Sequence, residues 1–390
     1  MLSSLGLGGQ AAKMDNTTTT KFSRADRSLI GIWWWTVDRW ALTAVFIALT
    51  TGVLFSFAST PMVAVKIGLP QFYFVKRHLL YTAMSIATII AVSLLEVKGM
   101  RRLAVIIFLF SAILVVLTPF LGTEIKGARR WIKLGLFTMQ PSEFVKPSFA
   151  VLSAWMFSEQ SFNSDFPGKN ISLILYILLV LLLALQPDMG MIFVFSAIWF
   201  GQLFLTGISL ISAILVCGIG LLGVCASYWL FPYVASRIDR FLDPGAGDCY
   251  QINRSIEAFR NGGWFGVGPG EGIIKKYLPD AHADFAFSVI GEEFGALVCV
   301  LIVALYSFIT FRVLVASLKS KDMFVSFALF GLTVNFALQV IINISSCLRL
   351  IPTKGMTLPF ISYGGSSMIS ISICMGMVLG LSRKRPMVLE

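Results

Sequence analysis

Ten stretches of this chain are apolar over about the length of a bilayer crossing, and these runs constrain the fold more than any other feature. They lie near 38–58, 78–95, 103–121, 142–158, 171–186, 189–206, 208–229, 285–311, 323–343 and 363–382. A helix rises about 1.5 Å per residue, so roughly 20 apolar residues match the ~30 Å hydrocarbon core. Backbone in lipid must satisfy its own hydrogen bonds, and these runs are continuous rather than alternating, so helices are expected and a β-barrel is not. The expected fold class is an all-α polytopic membrane protein of about ten transmembrane helices, with one large extracytoplasmic loop before the eighth. With 57% hydrophobic and 13% charged residues, a soluble fold is excluded.

The rest of the chain divides around those runs. Residues 1–37 read as a polar tail without a cleavable signal, 38–382 as the membrane domain and 383–390 as a short closing segment. Trp33, Trp34, Trp35 and Trp40 resemble an aromatic belt at a membrane interface. An even number of spans places both termini on one side, expected to be cytoplasmic. The formal charge of +11 carries no basic-aromatic nucleic-acid motif, so no nucleic-acid partner is expected. Cys217, Cys225, Cys299 and Cys374 lie within apolar runs and act as small hydrophobes; a Cys249–Cys347 pair is left open. No CxxC pair or other metal motif occurs, so no protein metal site is expected.

Lysine and arginine do not settle the orientation, because they divide evenly between the two sides. The excess in the short 122–141 loop, Lys126-Gly-Ala-Arg-Arg-Trp-Ile-Lys133, therefore needs another reason. An anionic ligand such as a lipid phosphate supplies one; a solvated basic face is the plainer alternative. Two outer loops are long. The 230–284 segment contains a glycine-rich stretch over 261–270, and 344–362 holds Pro352, Gly355 and Pro359. Long loops inside compact domains are usually functional.

The densest chemistry is at Tyr277–Gly295, with Asp280, His282, Asp284, Glu292 and Glu293 at the mouth of an apolar run. Asp284 reads either as the N-cap of the eighth helix or as a catalytic acid or base. If the helix begins there, Glu292 and Glu293 lie roughly 12 Å into the membrane and need partners. Glu143 and Lys146 are three residues apart in the fourth run, which fits an intrahelical ion pair. Lys146 inside an apolar span nevertheless demands a counter-charge, for which Asp284, Glu292 or an anionic substrate are further candidates. His282, beside a proline turn, reads as structural or as a positioning group.

Taken together, several segments resemble the SEDS family of bacterial cell-wall polymerases. They are Lys126–Ile132, Gln140-Pro-Ser-Glu-Phe-Val-Lys146, Gln186-Pro-Asp-Met-Gly190, Tyr250-Gln251, Gly262–Gly268, Leu278–Phe285, Gly291-Glu-Glu293 and Pro359–Ser367. The Lys-Gly-Ala-x-Arg-Trp form, the Ala-His-x-Asp form and the closing Gly-Gly-Ser-Ser look more like the division branch, FtsW, than the elongation branch, RodA. The resemblance implies a peptidoglycan glycosyltransferase acting on lipid II during cell division. It puts the essential aspartate at Asp284, the outer-loop arginine at Arg130 and the fourth-helix acid and lysine at Glu143 and Lys146; Lys126, Arg129, Gln251, His282 and Ser366 are further expected substrate contacts. One departure is Lys276, where many division-type members have an acid. A class B penicillin-binding transpeptidase and other division proteins are the implied partners.

The residue inventory fits that chemistry. A sugar 4-hydroxyl must lose its proton and a pyrophosphate must leave as an anion, so one base and a cationic clamp suffice. The expectation is Asp284 as general base, with Arg129, Arg130 and Lys146, or a divalent cation such as Mg2+, stabilising the leaving group. The rival expectations are a flippase for the same precursor, an elongation-type polymerase, and a scaffold for division proteins.

Overall fold

The computed structural model describes residues 28–125, 128–135, 137–242 and 250–384 of the 390-residue chain. Each of the ten apolar runs forms a helix. Seven are long and apolar enough to cross a membrane: α2 (Arg39–Ser59), α4 (Tyr73–Ser93), α5 (Val97–Leu121), α7 (Gly168–Leu185), α9 (Leu210–Leu230), α12 (Ala286–Lys319) and α13 (Met323–Cys347). Two shorter apolar helices, α8 (Met189–Leu205) and α14 (Gly365–Leu381), accompany them. The tenth, α6 (Pro141–Phe162), carries Glu143, Lys146 and Glu159 and is buried over most of its length. Proline at its first position costs nothing there, because that N–H would have no helical partner.

Polar side chains hold this bundle together where lipid supplies no hydrophobic drive between helices. The Gln202 amide of α8 donates to the carbonyls of Ala150 (2.7 Å) and Phe327 (3.0 Å) and accepts from Ser153 Oγ at 2.6 Å, joining α6, α8 and α13. Gln202→Ala is expected to cost about 0.5–2 kcal/mol, read as a lowered unfolding temperature in detergent. At one end, Asp38 caps α2 and forms a two-point ion pair with Arg312 at 2.6 and 2.8 Å. The Lys384 amide donates to Thr36 O at the same end, so the described N- and C-terminal segments meet there.

Four features differ from the sequence expectation. Residues 29–36, assigned to the polar tail, form α1 (Leu29–Thr36), and Trp33 is buried with its indole N–H on Ser93 Oγ rather than in an interfacial belt. The 122–141 loop is a three-stranded antiparallel sheet, β1 (Thr123–Ile125), β2 (Ala128–Leu134) and β3 (Phe137–Met139), in an otherwise helical fold. The long outer segment holds two helices, α10 (Pro232–Leu242) and α11 (Tyr250–Gly262), followed by a 3-10 turn at Ile274–Lys276. The small helix α3 (Pro61–Lys66) lies between α2 and α4.

The fourth difference is a break in α12 at Gly295, where φ is 81° and ψ 174°. The groups freed by the break are paired by the glycine-rich stretch: Ala296 N donates to Gly263 O, Leu297 N to Trp264 O, and Val267 N to Glu292 O. A Cβ on Gly295 would meet Trp264 O at 2.3 Å, so both the left-handed φ and the close backbone require glycine. The ~24 residues after the break span about 36 Å, enough to cross the membrane alone. The expected depth of Glu292 and Glu293 therefore changes, because both lie on the outer half-helix before the break.

Candidate functional site

The starts of α6, α8, α12 and α14 and the end of α13 lie at one end of the bundle, opposite the meeting point of the termini. Asp284 stands there, two residues before α12, but it is not the helix cap. The cap position is Phe285, without a side-chain hydrogen bond. Asp284 is held instead through its backbone. Its N–H donates to Asp280 O at 3.1 Å, and its carbonyl accepts from Asn343 Nδ2 at 2.9 Å. The same amide nitrogen donates to Met356 O at 2.6 Å, so one α13 side chain ties Asp284 to the 344–362 loop.

That contact brings the Asp284 carboxylate against Gly355. A Cβ at Gly355 would fall 2.7 Å from Asp284 Oδ2, so any side chain there pushes the carboxylate aside. Gly355→Ala is expected to lower turnover by about a hundredfold through displacement of the acid, with little loss of thermal stability. Comparing the variant's rate with its melting curve checks this.

The residue before Gly355 was not singled out by sequence reading. Lys354 is largely buried and forms an ion pair with Asp188 Oδ1 at 3.1 Å, while Arg130 Nε lies 3.8 Å from Asp188 Oδ2. Asp188 is the N-cap of α8 and accepts from Met191 N at 3.3 Å. Burial pushes its carboxyl up, but the Lys354 and Arg130 charges outweigh that and hold it below the usual carboxylate range. Arg130 also donates to the carbonyls of Gln186 (3.2 Å) and Pro187, which fixes the strand against the α7–α8 turn.

Lys146 receives its counter-charge from its own helix. Glu143 Oε2 lies 2.9 Å from the amine, and Gln339 Oε1 accepts from it at 2.9 Å. Neither Asp284 nor Glu292 plays that part; the intrahelical alternative holds. Gln339 continues inward, donating to Ser367 Oγ at 3.0 Å and Thr357 O at 3.1 Å. The serine engaged is therefore Ser367, its neighbour Ser366 making no part of this network. Glu143 and Lys146 act electrostatically on Lys354, which marks the two cation groups as neighbours.

The other expected site residues are placed elsewhere. Strand alternation turns Arg129 to the exposed face, where it faces Glu124 at 3.6 Å and Pro119 O. Lys126 and Cys249 lie outside the described residues. Gln251, in the first turn of α11, hydrogen-bonds to none of these groups. The His282 ring packs between Phe74 (5.1 Å) and Tyr363 (5.6 Å), and burial holds it below the ordinary histidine value against the pull of Asp280. Glu292 accepts from the N–H groups of Ile273, Ile274 and Lys275 and from Asn261 Nδ2; Glu293 pairs with Lys275. These two acids fasten the outer segment to α12 rather than serving the cation cluster.

Asp188 could have been found from sequence as a lone charge in the tight turn between two spans, and Lys354 as a charge in the long loop between two others, since such charges need partners. For a divalent cation, no three His, Cys, Asp or Glu side chains converge among the described residues, and Asp188 already holds two cations. The residues present do not by themselves build a magnesium cage, and no step below passes through one.

A polytopic membrane protein with an acid and several buried cations at one end of its bundle is the class these features define. The chain belongs to the FtsW/RodA/SpoVE family of cell cycle proteins, whose family model matches residues 39–386. It is 41% identical over 374 residues to a protein of Caulobacter vibrioides named "Probable peptidoglycan glycosyltransferase FtsW", covering 96% of each chain. A protein of the same name from Coxiella burnetii is 33% identical over 362 residues, 89% of this chain and 96% of that one. Among solved structures, a chain described under "Structural coordination of polymerization and crosslinking by a peptidoglycan synthase complex" superposes with a TM-score of 0.75. It is 25% identical and covers 90% of this chain and 98% of that one. The Thermus thermophilus rod shape determining protein RodA shares the fold, with a TM-score of 0.64 at 23% identity, over 90% of this chain and 97% of that one.

Proposed function

We propose that this protein is a division-type peptidoglycan glycosyltransferase that polymerises lipid II, with Asp284 as general base and a basic side that receives the pyrophosphate. The observation that carries the reading is the Asp284–Gly355–Lys354 junction, which sets a carboxylate beside a loop whose next side chain belongs to a cluster of buried cations. A base and an anion-stabilising group within one site are what the reaction requires.

In this reading Asp284 takes the proton from the 4-hydroxyl of one sugar. The resulting O4 attacks C1 of the other as the C1–O bond to pyrophosphate breaks, with inversion at C1. The departing oxygen gains negative charge, which Lys354, Arg130 and Lys146 stabilise without any proton donor. The reading assigns the clamp to Arg130 and Lys146 together with Lys354, and gives the exposed Arg129 a solvent-side contact. The proposal retains cytoplasmic termini, a septal location and a class B penicillin-binding transpeptidase as partner; the similarity to relatives named FtsW supports the division role.

The test is a reaction of the purified full chain in proteoliposomes with fluorescent lipid II, read both as glycan on a gel and as translocation of the label. Glycan formation without translocation supports the proposal. Translocation without glycan, with an active partner transpeptidase present, would establish the flippase reading instead.

A further inference from the structure

A cavity lies beside the outer segment. It has a volume of about 310 Å³ and is formed by α3, the start of α4 and residues 275–282. Its floor is apolar, with Met62, Val63, Phe74 and Leu278. Lys66, Lys276, Asp280 and His282 supply its polar lining.

The lysines differ in what they are free to do. Lys275 also lines the cavity, but its amine is buried and consumed by Glu293 and by the carbonyls of Ala58 and Gly270. Lys66 and Lys276 are exposed, and neither has an ion-pair partner among the described residues. Against the single acid Asp280 they leave the lining with an excess positive charge. His282 adds a ring nitrogen, Nδ1, that is buried and has no hydrogen-bond partner among the described residues. A buried polar atom without a partner is costly, and a ligand oxygen or a water would relieve it.

The surroundings say what kind of ligand fits. Apolar residues stand exposed beside the cavity: Val65 and Ile67 are each 57% exposed and Phe72 is 46% exposed. They lie on and just after α3, which joins two membrane-spanning helices, so this surface is at the bilayer boundary. The volume suits a headgroup rather than a whole lipid, and the exposed apolar strip suits the start of its acyl chains. Two exposed ammonium groups at a membrane surface attract phosphate.

We propose that this cavity binds the phosphate headgroup of an anionic lipid, held between Lys66 and Lys276. The site is independent of the glycosyltransferase reading, because its chemistry does not involve Asp284. Its ring residue His282 is only two positions from Asp284, so occupancy is placed to stiffen the turn that carries the acid.

The full-length protein in phosphatidylcholine nanodiscs containing a few percent spin-labelled phosphatidylglycerol provides the test, read as the motionally restricted lipid fraction. Wild type should hold the labelled lipid about tenfold more strongly than Lys66→Gln/Lys276→Gln, while the Lys319→Gln/Lys321→Gln control at the opposite end behaves as wild type. Both lysine pairs are surface residues, and a matching melting temperature confirms folding. Equal retention by wild type and the Lys66→Gln/Lys276→Gln variant overturns the proposal, as does equal retention of spin-labelled phosphatidylcholine. Undecaprenyl pyrophosphate as competitor distinguishes the phosphate source. Lysine-dependent displacement assigns the site to the lipid-linked precursor, and its absence assigns it to bulk phospholipid.

Discussion

Asp284→Asn is expected to lower glycan formation by about a hundred- to ten-thousandfold, the range associated with loss of a general base. The substitution keeps size and removes the carboxylate's charge together with its ability to accept a proton. The Asp284 backbone is held by Asp280 O, Asn343 and the α12 start, none of which depends on the carboxylate. The variant should therefore insert, purify and melt as wild type does, and it should still bind lipid II. Rate retained within a few-fold would remove Asp284 from the chemistry. Gly355→Ala complements this test, since it retains the carboxylate but displaces it.

The second large effect concerns Lys354. Lys354→Gln is expected to cost about a hundred- to a thousandfold in rate, as for loss of a charge that stabilises the leaving group. It also leaves the buried Asp188 with only the more distant Arg130, at 3.8 Å, so a destabilisation below the roughly 3–5 kcal/mol of a wholly unpaired buried charge is expected. The two consequences can be separated. Lys354→Met combined with Asp188→Asn removes both charges, so stability should return while turnover stays low. Recovery of both would show that Lys354 serves the fold alone.

The pair also has a definite pH signature. Asp188 lies below the ordinary carboxylate value when folded, so its stabilising contribution is complete above about pH 4 and fades as pH falls through the depressed value. Melting curves of wild type and Asp188→Asn should diverge above that pH and converge below it.

Much of the fold was legible because lipid leaves the backbone few options. A continuous apolar run must be helical, and all ten expected runs are. Local rules also succeeded where both partners sit on one helix, as with Glu143 and Lys146 at 2.9 Å. They failed where a residue's meaning depends on a distant segment. Asp284 has the spacing of a cap, yet it lies outside the helix and is anchored by α13. Glu292 and Glu293 looked like deep intramembrane charges because nothing local announces that α12 breaks at Gly295. Its left-handed backbone is tolerable only because the 263–267 stretch pairs the freed groups. Strand alternation likewise separated Arg129 from Arg130, which adjacency alone had placed together.

From sequence alone came a membrane protein, its helices, the family resemblance and Asp284 as the acid to test, since hydropathy and residue chemistry are properties of short segments. Tertiary structure alone decided which buried charges meet. Lys354, Asp188 and Arg130 are brought together from the 344–362 loop, the start of α8 and β2, far apart along the chain. Their pairing follows from burial, because a charge removed from water must find its opposite wherever packing provides it.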